Sequence, residues 1–220
     1  MTGVQTCALP IWISAVSRSL DHLDIFVTDA SGSVNWSHWD PSLAGGWTAW
    51  TPPIGAGIIP GQPIAAVSRS NGLIDLFIVD RGGNALTAGF DPSTGWGGWW
   101  TIPGAIPLLP GTELTAVSRQ PDFLDVFATD AVGRVMTTHW DPSSGWVGWT
   151  QVLSGVVAAG TPITAVSRGP GLIDIFCIGN DGFVVTAGFD PASGWAGFWR
   201  LEVDLPINPL EPLSVSGGIG

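Results

Sequence analysis

The sequence predicts an all-β protein, a β-propeller built from four-stranded antiparallel blades of about 50 residues each. First, the motif Ala-Val-Ser-Arg occurs four times, and its arginines are 51, 50 and 49 residues apart: Arg18, Arg69, Arg119 and Arg168. Second, Val, Ile, Phe, Trp and Thr dominate short segments separated by turn residues, as β-structure prefers. Third, no long segment has the period of a helix. A β-sandwich and a linear solenoid are the competing architectures, and four strands per repeat favour the propeller.

Each repeat contains four predicted strands, which in the first repeat cover residues 13–18, 23–29, 34–39 and about 47–51. The Asp-Pro-Ser-x-Gly segments predict turns, because proline presets φ, Asp bonds back to the backbone and Gly accepts positive φ. The strands are apolar on both faces, which fits a blade that is covered by a neighbour on each side.

Three further motifs follow each Ala-Val-Ser-Arg in a constant order. The first is an Asp within a Leu/Ile-Asp-apolar-Phe unit: Asp24, Asp75, Asp125 and Asp174. The second is an aromatic residue before Asp-Pro: Trp39, Phe90, Trp140 and Phe189. The third is a Gly-Trp pair: Trp47, Trp96, Trp146 and Trp195. Repeats one and three share His-Trp-Asp-Pro, whereas repeats two and four share Thr-Ala-Gly-Phe-Asp-Pro, so the chain resembles a duplicated pair of blades.

We expect four complete blades, at residues 12–63, 64–113, 114–162 and 163–211. Residues 212–220 are expected to be a divergent or truncated start of a fifth repeat, because 212–216 match 162–166 in register. Four blades with such a remnant predict a fragment of a larger ring. An incomplete ring would leave two apolar blade faces open to self-association.

The first eleven residues differ from everything that follows. Residues 1–11 resemble a translated sequencing adapter, which predicts a non-native leader and a natural sequence that starts near Trp12. They lack the positively charged region of a secretory signal peptide. If Cys7 belongs to this leader, Cys177 is a lone thiol and a disulfide framework is excluded. The apolar neighbours of Cys177 predict a small buried core residue.

Composition excludes several classes of function. The 18 acidic residues outweigh seven basic ones, all Arg, to give a net charge of −11, which is a poor match for nucleic acid or an anionic membrane. No apolar run reaches the ~18 residues of a membrane-spanning helix, so no membrane insertion is expected. His38 and His139 have no third ligand nearby in sequence, and neither a metal nor another cofactor is predicted.

The repeats also argue against catalysis. Nearly every Asp, Arg and Ser has counterparts in the other repeats, whereas a catalytic centre requires unmatched residues. A glycoside hydrolase of the propeller type would require an unmatched pair of carboxylates, which the sequence lacks. We therefore predict no catalytic residue and no enzyme.

The ordered motifs Ala-Val-Ser-Arg, Leu-Asp-Ile-Phe, Trp-Asp-Pro and Gly-Trp-x-x-Trp resemble the repeats of the Photorhabdus luminescens lectin-like β-propellers, over residues 12–201. This resemblance implies a ring of about seven blades with sugar sites between them. It further implies binding of fucose and related sugars, some of them O-methylated, and an extracellular or secreted protein.

Residue chemistry independently suits such sites. Trp offers a flat face for the C–H side of a sugar ring and one N–H donor, and Arg offers a fork of donors. The candidate carbohydrate-binding residues are Arg18, Trp39, Trp47, Arg69, Trp96, Arg119, Trp140, Trp146, Arg168 and Trp195. Each also has a structural interpretation: the tryptophans can fill the core between blades, and each Arg can pair with the Asp across the first hairpin of its blade.

The sequence thus predicts a multivalent carbohydrate-binding propeller whose partners are glycans or glycoconjugates. The alternative is a non-catalytic protein-interaction or accessory propeller domain of a larger secreted protein, since the same blade can serve several functions.

Overall fold

The computed structural model describes residues 12–55, 57–153 and 157–201, without the side chains of 52–54 and 153. The predicted leader and the predicted fifth repeat lie outside these ranges. Within them the regular elements are strands, arranged in four antiparallel sheets that follow one another along the chain. No helix in the described part of the chain is long and apolar enough to cross a membrane.

Each sheet is one blade. The first blade has the strands β1 (Ile13–Ser19), β2 (His22–Thr28), β3 (Val34–Trp39) and β4 (Thr51–Ile54). The second has β5 (Ala65–Ser70), β6 (Leu73–Val79), β7 (Ala85–Asp91), β8 (Gly95–Trp96) and β9 (Trp100–Thr101). The third has β10 (Thr115–Gln120), β11 (Phe123–Thr129), β12 (Val135–Asp141), β13 (Gly145–Trp146) and β14 (Thr150–Leu153). The fourth has β15 (Thr164–Gly169), β16 (Leu172–Ile178), β17 (Val184–Asp190) and β18 (Gly194–Arg200).

The fourth strand of a blade is less regular than the first three strands. In the second blade β8 and β9 both pair with β7, and in the third β13 and β14 both pair with β12. The predicted all-β architecture with four four-stranded blades is confirmed. The exact residue at which one blade passes into the next stays a prediction.

The predicted fourth strand of the first blade, at 47–51, was placed too early. Trp47 forms only an isolated bridge to Trp39, and β4 begins at Thr51. The Thr48 hydroxyl accepts a hydrogen bond from the His38 N–H at 3.0 Å, so a side chain replaces a ladder bond at this point. The Thr48 N–H in turn donates to the His38 carbonyl at 2.9 Å.

The cores lie between consecutive blades. Three buried clusters surround Phe26, Phe77 and Phe127, and each joins strands of one blade to strands of the next. We call these contact regions the first, second and third junctions in chain order. Strands β1, β5, β10 and β15 contact one another in the same order, so the first strand of each blade is its inner strand.

Backbone hydrogen bonds fix the spacing of neighbouring blades. The carbonyl of Arg18 accepts from the Gly72 N–H at 2.8 Å, and the carbonyl of Arg69 accepts from the Asp122 N–H at 2.9 Å. The Arg119 carbonyl accepts from Gly171 at 3.1 Å. Gly72, Asp122 and Gly171 all have positive φ, which turns their N–H groups toward the preceding blade. The motif arginine therefore holds the next blade through its backbone.

Candidate functional site

The structure brings each motif arginine together with the aspartate across its first hairpin. The nearest N–O distances are 3.3 Å for Arg18–Asp24 and 3.1 Å for Arg119–Asp125. Equivalent ion pairs join Arg69 to Asp75 and Arg168 to Asp174. In each hairpin the Asp lies opposite a Val of the inner strand, beside the bulge at which the register shifts. The bulge directs the Arg side chain back onto the carboxylate.

Burial dominates the electrostatics of the three pairs that lie between two blades. It raises the pKa of Asp75 to about 6, against the opposing effect of the Arg69 charge. Burial likewise raises the pKa of Asp125 to about 6, opposed by Arg119. The pKa of Asp24 is also raised by burial, while a hydrogen bond from Trp36 and the Arg18 charge lower it. The carboxyls are thus held inside an apolar junction at a cost in free energy that the paired Arg only partly offsets.

Three of the four motif arginines also face an aromatic residue of the next blade. The guanidinium carbon lies 5.3 Å from the ring centre of Phe90 for Arg18 and 5.1 Å from that of Trp140 for Arg69. The corresponding distance from Arg119 to Phe189 is 5.5 Å. These are cation–π distances. The Arg of one blade and the aromatic-Asp-Pro residue of the next therefore form one unit at every junction.

The Gly-Trp tryptophans belong to the core between blades. Trp96 packs edge-on against Phe26 of the preceding blade, with ring centres 5.7 Å apart. Trp146 does so against Phe77 at 5.8 Å, and Trp195 against Phe127 at 5.7 Å. This packing agrees with the structural interpretation of the three tryptophans, and each remains half-buried.

The second junction contains a pocket of about 390 Å³. Arg69 and Asp75 supply its polar side, and Trp140 and Trp146 face them from the third blade. Trp100, which is 54 % exposed, stands at the rim. Two aromatic faces, a guanidinium and a carboxyl therefore converge on one opening between two blades.

Two small residues keep this pocket open. Gly89 lies opposite Asp75 in the β6–β7 ladder, and a Cβ at Gly89 would lie 3.4 Å from the Asp75 carboxyl oxygen. Thr87, two residues earlier, also lines the pocket. The positions that correspond to Gly89 are His38 in the first blade and His139 in the third, which lie opposite Asp24 and Asp125.

The first junction is filled instead. Trp36 stands where the second blade has Thr87, and its indole N–H donates to Asp24 at 2.8 Å. Its ring stacks on His38 at 4.7 Å and contacts Phe90 at 5.4 Å. Burial is the main cause that lowers the pKa of His38, and the positive charge of Arg18 lowers it further. The imidazole is therefore neutral in the stack. Trp36 therefore occupies the space that is open at the second junction.

The ten predicted site residues divide into two groups. Seven meet at the junctions: Arg18 with Trp96, Arg69 with Trp140 and Trp146, and Arg119 with Trp195. Three lie at the ends of the described chain without a neighbouring blade: Trp39, Trp47 and Arg168. Sequence reasoning paired each Arg with the Asp of its own blade, which the structure confirms, and expected sites between blades without saying which Arg meets which Trp. The structure brings Arg69 to Trp140 of the following blade.

Several pocket residues were missed in the sequence. Phe90 and Phe189 occupy the same place as Trp39 and Trp140, and aligning the four repeats at Asp-Pro would have found them. Trp100 and Gly89 could not be found this way, because they depart from the first and third repeats. Thr87 departs from the first repeat alone, since the third has Thr137 at the same position. Within the described residues no group of three or more His, Cys, Asp or Glu side chains could hold a metal ion.

Comparison with solved structures identifies the fold. The chain superimposes on the BP39L lectin from Burkholderia pseudomallei with a TM-score of 0.77 and 23 % identity, covering 89 % of this chain and 58 % of that one. The SapL1 lectin in complex with α-methyl fucoside gives 0.69 and 24 %, covering 92 % and 66 %. A fungal lectin from Aleuria aurantia, described as a six-bladed β-propeller with a novel fucose recognition mode, gives 0.61 and 15 %, covering 88 % and 62 %.

These likenesses confirm the predicted β-propeller fold. The chain spans between about half and two thirds of the length of these neighbours, 58 % for BP39L. No protein-family model matches the chain, and no curated protein matches it in sequence.

Proposed function

We propose that the chain is a multivalent carbohydrate-binding propeller with its sugar sites at the blade junctions. The observation that carries this proposal is the pocket at the second junction, where Trp140 and Trp100 offer ring faces beside the Arg69–Asp75 pair. Carbohydrate sites need a flat apolar surface and a few convergent polar groups. Such a pocket lies between blades, which is also where the family resemblance implies the sugar sites.

The groups of the pocket have distinct tasks in this proposal. The C–H face of a sugar ring stacks on an indole, and Arg69 donates hydrogen bonds to its hydroxyls. The Nε atom of Arg69 is buried and has no hydrogen-bond partner in the protein, so this donor stays unsatisfied until a ligand or a water molecule reaches it. The Asp75 carboxylate orients the guanidinium and accepts from a hydroxyl at the edge of the pair.

Fucose-type or O-methylated sugars are the proposed ligands. Apolar surface from Leu124 and Trp146 lines the pocket on the side of the third blade, and a methyl group on a sugar would be buried there favourably. Two structural neighbours support this choice by what their descriptions say of them: SapL1 is in complex with α-methyl fucoside, and an Aleuria aurantia lectin is in complex with Fucα1-6GlcNAc. The motif resemblance to the Photorhabdus luminescens lectins points to the same sugars.

Repetition gives the proposal its multivalent character. The Arg–aromatic unit recurs at all three junctions, although Trp36 fills the first. The proposal therefore takes its several weak sites from junctions built like the second, and such sites can combine on a surface that carries many glycans. Recognition of glycans outside the cell agrees with the predicted secreted location, which we retain as part of the proposal.

Calorimetric titration with α-methyl fucoside and with an O-methylated fucoside tests the proposal. We expect heat of binding that Arg69→Ala or Trp140→Ala reduces by about tenfold or more in affinity at the second junction, because each substitution removes one wall of the pocket. Arg81→Ala is the matched control, since Arg81 is exposed and does not line the pocket. Absence of binding to both sugars, and to a wider glycan array, by a folded chain would overturn the proposal.

A further inference from the structure

The first blade presents an apolar face that corresponds to a buried face in the other three. We call it the leading face and define it by Ile13, Leu23, Ile25 and Trp47. Ile13 is 67 % exposed, whereas its counterparts are at most 7 % exposed: Ile64, Leu114 and Ile163. Leu23 is 47 % exposed, whereas its counterparts are at most 1 % exposed: Ile74, Leu124 and Ile173. The first blade therefore keeps the side chains of a buried face.

The fourth blade presents the opposite face, the trailing face, defined by Arg168, Phe176 and Phe189. The Arg168 side chain is 54 % exposed, against 18 % or less for the other three motif arginines. Phe176 is only half-buried, whereas its counterparts are fully buried: Phe26, Phe77 and Phe127. In each of those blades a Trp of the next blade covers the Phe ring.

The two end faces carry the two halves of a pocket like that of the second junction. On the trailing side, six pocket residues of the second blade have identical counterparts in the fourth: Arg168, Asp174, Thr186, Gly188, Phe189 and Trp199. On the leading side, the three pocket residues of the third blade have identical counterparts in the first: Leu23, Trp39 and Trp47. Two more lining residues of the second blade, the Asp of Asp-Pro and the Gly before Trp, are also identical in the fourth blade, where they are Asp190 and Gly194.

The only lining residues that differ are small. Ser193 stands for Thr94, and Ala196 stands for Gly97. The first and third junctions do not match in this way, because they contain Trp36 and His38, or His139, at the positions that keep the second junction open. The residues of the open type of pocket thus occur twice in the sequence. One set lies in the second and third blades, and the other is divided between the fourth blade and the first.

We propose that the trailing face of the fourth blade docks on the leading face of the first blade of a second copy, and that the joined faces form a further pocket of the second-junction type. In this pocket Arg168 of one copy lies over Trp39 of the other, as Arg69 lies over Trp140. Trp47 of one copy covers Phe176 of the other, as Trp146 covers Phe77. Only the ligand of the joined pocket rests on the proposed function; the docking itself does not.

Physical chemistry favours this partner. The leading face contributes apolar side chains whose burial drives association. Arg168 already pairs with Asp174, so docking buries no unpaired charge. The contact is head-to-tail, since two different faces meet, and a head-to-tail contact either closes into a ring or extends into a chain of copies. Docking of two identical faces would bring no Arg to Trp39 and would leave both half-pockets incomplete.

The mass of the full-length chain in solution tests the docking. Light scattering and sedimentation over about a hundredfold range of concentration should show association that increases with concentration. Trp47→Arg should return the protein to a monomer, because it places a charge in the leading face. Phe176→Glu should do the same from the trailing face. Val132→Arg, at a site 71 % exposed away from both faces, is the matched control and should leave the mass unchanged.

Mixing the two variants gives a sharper result. The Trp47→Arg copy keeps its trailing face and the Phe176→Glu copy keeps its leading face, so an equimolar mixture should form a dimer that neither variant forms alone. A dimer built on two identical faces cannot be restored in this way. If Phe176→Glu does not fold by circular dichroism, Arg168→Glu replaces it. A wild-type monomer at every concentration, or association that Trp47→Arg leaves unchanged, overturns the proposal.

Titration with α-methyl fucoside separates this proposal from the proposed function. Association together with one additional sugar site per contact supports both. Association without sugar binding supports the docking and counts against the sugar function. Sugar binding by a strict monomer overturns the docking and leaves the proposed function intact.

Discussion

The first and second junctions are built from the same motifs, yet one is filled and the other is open. Both have an Arg–Asp pair, an aromatic residue above the guanidinium and a Gly-Trp tryptophan packed edge-on against a Phe. They differ where Trp36 and His38 replace Thr87 and Gly89. Two side chains on the third strand thus decide whether this scaffold has a core or a pocket at a given junction, while the ladder between the second and third strands keeps the same register.

The largest expected effect comes from emptying the filled junction. Trp36→Thr removes the ring that contacts Phe90 and the donor to Asp24, so we expect a loss of about 3 kcal/mol in the free energy of unfolding. Urea denaturation followed by circular dichroism measures it. Trp50→Thr, at a position 51 % exposed, is the matched control and should cost less than about 1 kcal/mol. Equal losses for the two variants would contradict a core role for Trp36.

The pH dependence of stability should also distinguish the junctions. Burial raises the folded-state pKa of Asp75 to about 6, above its unfolded value of 3.8, so its favourable contribution is complete below pH 4. That contribution is lost as the pH rises from about 4 through 6, because the unfolded chain releases the proton first. Asp75→Asn removes this titration. Between pH 4 and 6 the free energy of unfolding of the variant should therefore fall by about 2 kcal/mol less than that of the wild type.

Asp24→Asn is the comparison for the filled junction. Asp24 accepts a hydrogen bond from Trp36, which stabilises its charged form and opposes the effect of burial on its pKa. The variant should change the slope between pH 4 and 6 less than Asp75→Asn does. A larger change for Asp24 would show that Trp36 does not stabilise the carboxylate. Thermal unfolding at a series of pH values in one buffer system provides the measurement.

Filling the open junction should remove the ligand site proposed there. Thr87→Trp introduces at the second junction the residue that occupies the first, and we expect about a tenfold or greater loss of sugar affinity there, roughly 1.4 kcal/mol. The indole has a carboxyl to bond, since Asp75 corresponds to Asp24, so stability should change by less than about 1 kcal/mol. Calorimetry and urea denaturation measure the two quantities. Unchanged sugar binding in a folded variant would place the ligand elsewhere.

The smallest expected effect is at Gly89. Its φ is not in the left-handed region, and a Cβ would lie 3.4 Å from the Asp75 oxygen, which is ordinary contact distance. Gly89→Ala should therefore narrow the pocket slightly and weaken sugar binding by about threefold or less, with little change in stability. Gly89→His, which introduces the residue of the first and third blades, should weaken binding further. Equal sugar affinity for the wild type, Gly89→Ala and Gly89→His would mean that the ligand does not contact the pocket wall at Gly89.

Sequence alone predicted the repeat, the strand order and the Arg–Asp pairs, because these depend on motifs that recur in register. The position of the fourth strand near Trp47 was wrong, since the Thr48 side chain replaces a ladder bond and no propensity shows this. The pairing of Arg69 with Trp140 across blades was also missed. Spacing along a chain shows which residues recur, but only the packing of neighbouring blades shows which of them meet.

The backbone bond that joins a motif arginine to the next blade at each of the three junctions has a mechanical consequence. The carbonyl of Arg69 holds the turn at Asp122 while its side chain faces Trp140, so one residue attaches the second blade to the third at two points. A ligand held between Arg69 and Trp140 would act as a third attachment across the same gap. Under a pulling force, such as flow past a glycan-coated surface, bound sugar would therefore strengthen the propeller against separation of its blades.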